Sequence, residues 1–536
     1  MSALLQDWVL RQALERPQAT AIVVGSQRVT YAALEEASNR LARTLLEAGC
    51  RKGDRVCFLM PKSPAALIVM LGVLKTGAMH VPLDPNSPAT RLRRIVTSAE
   101  PTLIIGAGPV APLLDEILSG EKDVAVGWMD ETAPRAEEFR PCFTRTDVNR
   151  ASGAPLPRVG TSADPAHLLF TSGSTGIPKG VIITHANVIA FVEWAVRHFG
   201  VEPGERFSGH TPLHFDLSTY DIFGAFASGA ELHFVPPELA LLPHKMAAFI
   251  RDSELTQWFS VPGVLTHMAK SGVVLDGDFP TLRRVMWCGE VLPTPILIHW
   301  MERLPHARFS NLYGPTEATI ASSYYDVPAC PAAPDAAVPI GTACDGEELL
   351  VLDEKREPAP DGTIGDLYIR GAGLSPGYWR DPEKTAAAFL PNPSREEDRI
   401  YRTGDLAHRG ADGLIYFVGR ADTQIKSRGY RIELGEIETA LNSLSDLREV
   451  AVVAIQAGGF EGSMICCAYA LAEGSQEVTP VALRKAIARL VPSYMLPHRW
   501  MRYDSLPRNA NGKIDRPALR ERFVEQTPTG NSTVTA

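Results

Sequence analysis

Short apolar runs alternate with amphipathic segments along most of this chain, and that alternation constrains its fold more than any other feature. "DRVCFLM", "PTLIIGA", "AHLLFTS", "RVMWCG", "DLYIRG" and "EVAVVAI" are bounded by turn residues and predict short buried strands. "YAALEEASNRLARTLLEAG" and "PVALRKAIARLV" carry apolar residues at helical spacing. Such alternation predicts an α/β architecture with substantial parallel sheet, because parallel neighbours need a crossover between them. At 536 residues the chain exceeds one hydrophobic core, so two or more domains are expected. Composition changes near Gly419-Arg420-Ala421-Asp422, and about a hundred residues with their own strand and helix pattern follow. The final stretch, "EQTPTGNSTVTA", is polar and predicts disorder.

Bulk chemistry removes several function classes. A net charge of −9 argues against a broad surface for nucleic acid or anionic membrane. The eight cysteines form no CxxC pairs or Cys/His clusters, so neither a zinc site nor a disulfide framework is expected. The N-terminus mixes charges into a helical pattern and lacks a signal peptide's apolar core. The longest apolar run, "PAALIVMLGVL", is too short to span a bilayer. A cytoplasmic protein is expected.

One glycine-rich stretch carries chemistry. "LLFTSGSTGIPKGVIITH", Leu168 to His185, places a strand-like run before a loop rich in Gly, Ser and Thr, with Lys179 near its end. Counted from Gly173, Pro178 takes the place of the second Walker glycine and Gly180 that of the Mg²⁺-binding hydroxyl residue, so this is not a P-loop. Gly173-Ser174-Thr175-Gly176 does not fit a nucleophile elbow either. What remains is a loop offering hydroxyls from Thr171, Ser172, Ser174 and Thr175, backbone N–H groups and one cation. That inventory suits a polyphosphate, the alternative being a structural turn. "RGAGLSPG", Arg370 to Gly377, is one residue too long for G-x-G-x-x-G and reads as a turn.

The loop does not stand alone. "FTSGSTGIPKGV" resembles the signature loop of the adenylate-forming superfamily, which holds acyl-CoA synthetases, luciferases and the adenylation domains of nonribosomal peptide synthetases. "LKTGAMHVPLDPNSPATRL", "NLYGPTEATI", "YRTGDLAHRGADGLIYFVGR", "DTQIKSRGYRIELGEIE" and "LPRNANGKIDRPAL" match in the family's order. The resemblance implies a large N-terminal α/β adenylation domain, residues 1–421, with stacked sheets and surrounding helices. It also implies a small mobile C-terminal α+β domain, 422–523, with a disordered tail over 524–536. The implied reaction joins a carboxylate to the α-phosphate of ATP, with Mg²⁺, and releases pyrophosphate. Such an enzyme aligns reactants and neutralises phosphate charge.

Roles follow by resemblance at matching positions. The Thr171–Lys179 loop, including Ser172, Gly173, Ser174 and Thr175, would grip the β- and γ-phosphates. Tyr313 would lie against the adenine, with Asn311 and Gly289 completing its pocket. Thr316 would contact the α-phosphate and Glu317 would hold Mg²⁺. Asp405 would accept from the ribose hydroxyls, with Arg420 near the ribose and phosphates. Lys513 would bridge the substrate carboxylate and ATP as the catalytic cation, although a solvated Lys in an Asn-Gly turn has the same local sequence. Asp422 matches the hinge of the small domain, an ordinary turn Asp being the alternative.

"TPLHFDLSTYDIFGAF" bears on which acid is activated. In adenylation domains for α-amino acids an Asp after a Phe here pairs with the substrate ammonium, and Asp216 fits. A pocket carboxylate implies a cationic partner; the competing reading has Asp216 capping a helix that starts near Ser218. The remaining pocket is expected from Leu217, Tyr220, Ser260, Met286, Cys288, Leu312, Ile320 and Ala321, with Cys288 equally readable as core. None of these eight is ionised at neutral pH in an ordinary setting, so a small or mid-sized uncharged amino acid is expected: alanine, serine, cysteine, valine or proline.

The chain ends seventeen residues after Leu519, and no carrier-like segment follows the "NGK" motif. This reads as a ligase that loads a separate carrier protein through its phosphopantetheine thiol, as in nonribosomal peptide and antibiotic biosynthesis. An acyl- or aryl-CoA synthetase is the alternative, which requires Asp216 to be structural. A non-catalytic relative is disfavoured by the presence of Glu317, Asp405 and Lys513.

Overall fold

All six runs expected as strands are strands: Arg55–Leu59, Leu103–Gly106, Pro165–Thr171, Arg284–Cys288, Gly365–Gly371 and Leu447–Gln456. The two helical patterns form helices Tyr31–Glu47 and Pro480–Ile487. The computed structural model describes residues 4–120, 124–173, 176–456, 463–472, 475, 478–509 and 513–526. These fall into two units. One comprises the chain up to Pro85, Leu92–Thr171 and Lys179–Asp422; the other comprises Asn86–Arg91, Ser172–Pro178 and the chain from Thr423. The division thus follows Asp422 instead of preceding it, and two short N-terminal segments group with the second unit.

Two largely parallel sheets organise the first unit. One has seven strands, with Arg55–Leu59 between Leu103–Gly106 and Met79–Leu83. The other has nine, and its parallel centre runs Glu231–Phe234, Arg206–Gly209, Gln257–Ser260, Arg284–Cys288, Arg308–Tyr313 in spatial order. Strands buried on both faces need continuous apolar runs, which is why they were legible as such. The apolar run "PAALIVMLGVL" lies in helix Pro64–Lys75, which starts with Ser63 accepting from Ala66 N–H at 3.4 Å and Pro64 in the first turn. Among the described residues no helix is long and apolar enough to cross a membrane.

One hydrophobic core joins both sheets, taking Val56 and Ile105 from one, Phe207, Leu232 and Met286 from the other, and Tyr31, Leu67 and Phe223 from helices. A separate core holds Trp258, Val285, Trp287 and Phe309. A five-stranded sheet completes the unit, in which the long strand Arg395–Arg409 pairs with Gly365–Gly371, Phe389–Asn392 and Ile415–Arg420.

The second unit has a hairpin of Gln424–Ser427 with Tyr430–Glu433, and a sheet of Leu447–Gln456, Ser463–Leu471 and Arg499–Arg502. Helix Arg516–Glu525 begins where the Asp515 side chain accepts from Ala518 N–H at 3.1 Å, and it buries Leu519 and Phe523. Val524 and Glu525 therefore belong to this helix, not to a tail starting at 524. Residues 527–536, where disorder was expected, lie outside the described residues.

Candidate active site

Ligands of open parallel sheets bind beyond the carboxyl ends of the strands. The nine-stranded sheet delivers most of the expected site residues there: the segment to Asp216 follows Gly209, Gly289 follows Cys288, and Tyr313 ends its strand.

Beyond Tyr313 the backbone turns sharply. Gly314 packs so tightly that a Cβ on it would sit 2.5 Å from Ala321 Cα. After one turn over Thr316–Ala318, Thr319 and Ile320 both take left-handed φ values, +56° and +73°. Each costs a non-glycine residue roughly 1–2 kcal/mol. Hydrogen bonds hold them there: Thr319 Oγ1 donates to Gly373 O at 2.7 Å, and Ser322 N–H to Tyr313 O at 2.7 Å. The turn buries Glu317 completely. Its Oε1 accepts from the Tyr378 hydroxyl at 2.8 Å and lies 4.0 Å from Lys179 Nζ, which sits 4.9 Å from the Tyr378 ring centre.

Thr316 Oγ1 donates to Asp216 Oδ2 at 2.7 Å. Asp216 stands at the N-terminal boundary of helix Leu217–Ser228, but its φ and ψ of −63° and −31° are helical, and its side chain makes no capping bond. A capping side chain needs an extended backbone to fold back on the first N–H groups. The capping alternative therefore fails, and the half-buried carboxylate faces Thr316.

Leu217, Tyr220, Met286, Cys288, Leu312, Ile320 and Ala321 join one buried cluster. Cys288 and Leu312 are register partners on neighbouring strands, and Cys288 Sγ lies 3.8 Å from Ile320 O. Tyr220 is fully packed: Phe191, Phe207 and Phe259 surround its ring at 5.6–5.9 Å, and its hydroxyl reaches Gln257 Oε1 at 3.5 Å. Ser260 departs from expectation. It pairs with Trp287, so the pleat sends it to the face opposite Met286 and Cys288, where Trp258 Nε1 donates to its Oγ at 2.9 Å. Phe259, register partner of Met286, occupies the face assigned to Ser260.

Asp405 and Arg420 are cross-strand partners. Asp405 Oδ2 accepts from the Tyr313 hydroxyl at 2.5 Å, and Oδ1 from Arg420 Nη1 at 2.6 Å. Burial and the Asp405 charge push the Tyr313 phenol well up, so it stays a donor. Arg420 also grips Asp422 with a two-pronged contact, Nε at 2.7 Å and Nη2 at 2.6 Å. Gly404, φ +75°, is required beneath: a Cβ there would lie 2.8 Å from Arg420 Nη2. Asn311 is buried and donates to Pro339 O at 2.8 Å, and Gly289 takes φ +99°.

Thr171 and Lys179 are register partners on antiparallel strands, so the Gly/Ser/Thr loop joins two paired strands. The Thr171 hydroxyl is buried without a hydrogen-bond partner among the described residues, an atom a ligand oxygen could satisfy. In the second unit, Ser172 Oγ donates to Arg431 O at 2.7 Å and Gly176 N–H to Gly173 O at 2.9 Å. Ser174 and Thr175 lie outside the described residues.

Family models for the AMP-binding enzyme and for the AMP-binding enzyme C-terminal domain match residues 9–379 and 436–513. The chain belongs to the AMP-binding enzyme family. It is an adenylate-forming ligase. An L-proline–L-prolyl-carrier protein ligase of Streptomyces coelicolor is 36% identical over 502 residues, covering 92% of each chain. A ligase of the same name from Pseudomonas fluorescens is 33% identical, covering 96% of this chain and 98% of its own. The structure of the Vibrio cholerae adenylation domain AlmE in complex with glycyl-adenosine-5'-phosphate superposes with a TM-score of 0.84 at 26% identity, covering 97% of this chain and 98% of that one. By contrast, this chain spans only 7% and 44% of tyrocidine synthases 3 and 1 of Brevibacillus parabrevis.

In this AMP-binding enzyme Lys513 belongs to the second unit and is exposed. Its N–H donates to Asn509 Oδ1 at 3.1 Å, and its carbonyl accepts from Asn509 N–H at 2.8 Å. Sequence reasoning missed Tyr378. It follows the glycine-rich turn set aside as structural, and only the fold brings its hydroxyl to Glu317.

Proposed function

We propose that this enzyme activates a small or mid-sized uncharged amino acid as aminoacyl-AMP and passes it to the phosphopantetheine thiol of a carrier protein supplied in trans. The observation that carries this reading is the Asp216 carboxylate, released from helix capping and held beside Thr316. A partly buried carboxylate at the end of an apolar cluster suits an ammonium group. L-proline is the first candidate, supported by the two ligases that match nearly end to end.

A substrate carboxylate oxygen attacks the α-phosphorus, the bond to the bridging oxygen of the β-phosphate breaks, and pyrophosphate leaves. Lys179 and the orphaned Thr171 hydroxyl bind polyphosphate oxygens. Glu317 is the one buried carboxylate of its turn and offers a Mg²⁺ ligand; a single carboxylate suffices because Mg²⁺ keeps phosphate oxygens and waters as its other ligands. When bound, Mg²⁺ neutralises charge on the phosphates. Asp405, fixed by Tyr313 and Arg420, keeps lone pairs for the ribose hydroxyls. Lys513 is the cation for the developing charge, and Asp422 the hinge. The carrier thiol then attacks the acyl carbonyl, AMP leaves, and the thiol proton is released. The eight free cysteines suit a reducing cytoplasm.

Amino-acid-dependent ATP–pyrophosphate exchange tests the reading. The expected result is exchange with L-proline or another small uncharged amino acid, lost in Lys513→Ala. Exchange confined to aryl or fatty acids would replace it with a CoA synthetase.

A further inference from the structure

Lys62, between strand Arg55–Leu59 and helix Pro64–Lys75, turns its ammonium into the protein instead of toward water. Nζ donates to Gly209 O at 2.5 Å and His210 O at 2.9 Å, and lies 5.6 Å from the Phe234 ring centre. Gly209 ends strand Arg206–Gly209, and His210 begins the segment that runs to Asp216. Further contacts pin that segment: His214 Nε2 lies 3.9 Å from Asp84 Oδ2, and Ser218 Oγ donates to Phe215 O at 2.7 Å.

A buried carboxyl on the helix that Asp216 leads, Asp221, lies within electrostatic reach of Lys62. Asp221 is 2% exposed. Burial raises its carboxyl, opposed by the Lys62 charge and the Thr211 N–H and hydroxyl. Burial likewise pushes the Lys62 ammonium down to about 8, opposed by Asp221. Burial and the Lys62 charge hold His210 neutral, down to about 3. Replacing a buried ion pair by well-packed apolar side chains is often neutral or stabilising. An ammonium supplies what an apolar side chain cannot: two directed N–H bonds to consecutive carbonyls.

We propose that Lys62 is a positioning residue for amino-acid recognition, clamping the Gly209–His210 end of the segment to the connection between strand Arg55–Leu59 and helix Pro64–Lys75 so that Asp216 is held at the substrate's ammonium group. This rests on the amino-acid reading of the site. The clamp touches none of the residues assigned to ATP, so its loss moves one substrate's binding and not the other's.

The test is steady-state exchange with wild type, Lys62→Met, Lys62→Arg and Lys62→Met/Asp221→Asn, titrating the amino acid and ATP separately. The expected result for Lys62→Met is at least a tenfold rise in amino-acid KM with ATP KM within twofold, largely restored in Lys62→Arg. If Lys62→Met does not fold, the double variant, which removes both buried ionisable groups together, carries the same expectation. Unchanged amino-acid KM in the folded variant, or equal rises in both KM values, overturns the clamp while leaving the function intact. A wild-type enzyme with no amino-acid dependence overturns both.

Discussion

The Thr316 hydroxyl donates to the Asp216 carboxylate across 2.7 Å, tying the turn that carries Glu317 to the helix that carries Leu217 and Tyr220. Truncating one member of a desolvated charge contact costs about 2–5 kcal/mol. Asp216→Ala is therefore expected to lower kcat/KM for the amino acid by roughly a hundredfold or more, with ATP KM little changed. Thr316→Val, which removes only a donor, is expected to cost about tenfold. Exchange kinetics at varied amino acid and fixed ATP decide both.

The Tyr378 hydroxyl donates to the fully buried Glu317. Tyr378→Phe keeps the ring under Lys179 and removes the hydroxyl alone. A hydrogen bond to a charged group contributes about 1.5–3 kcal/mol, so activity is expected to fall about tenfold or more. Exchange rates across a Mg²⁺ titration check this. An unchanged midpoint and rate would separate Tyr378 from the chemistry.

Gly404 sits at φ +75° beneath the Arg420–Asp422 fork. Gly404→Ala adds a left-handed side chain, about 1–2 kcal/mol, and a 2.8 Å approach to Arg420 Nη2. Thermal denaturation is expected to show a lower Tm, and ATP KM to rise more than amino-acid KM. A drop in Tm with both KM values unmoved would leave Gly404 purely structural.

Three buried histidines, His80, His167 and His185, give this protein an acid limit. His80 and His167 stack at 5.0 Å, and both His80 ring nitrogens are unpartnered among the described residues. Burial lowers His167 to about 3 and His185 to about 4, with Asp164 raising and Arg158 lowering the latter; His80 falls well below its usual range. Since folded values lie below the unfolded 6.5, the unfolded chain binds more protons as pH drops. Stability is then full above pH 6.5 and declines toward pH 4, about 2 kcal/mol per histidine at pH 5. Urea midpoints at pH 8 and pH 5 measure the decline. His80→Phe, which removes two orphaned nitrogens, is expected to shrink it.

Much of this was legible beforehand because the physics was local. Strands buried on both faces need continuous apolar runs, so Arg55–Leu59 and Arg284–Cys288 announced themselves. Asp216 was found through its neighbours in sequence, but whether it capped a helix depended on one pair of backbone angles. Ser260 pairs with Trp287, and a one-residue step along a strand changes the face a side chain takes, which no local motif reports. Tyr378 was overlooked because sixty-one residues separate it from Glu317, and no local pattern reports that contact. The helix end at Val524 and Glu525 resembles a disordered tail in sequence until Leu519 and Phe523 are seen buried before it.

The pairing of Cys288 with Leu312 on adjacent strands has a practical corollary for redesign. Both side chains, with Met286 two residues before Cys288, belong to one packed cluster, so enlarging the room at one changes what its neighbours can accept. Contacting positions rarely add. Retargeting this enzyme to another amino acid is therefore a problem of combinations, and libraries that scan these sites one at a time will pass over variants that only joint changes reach.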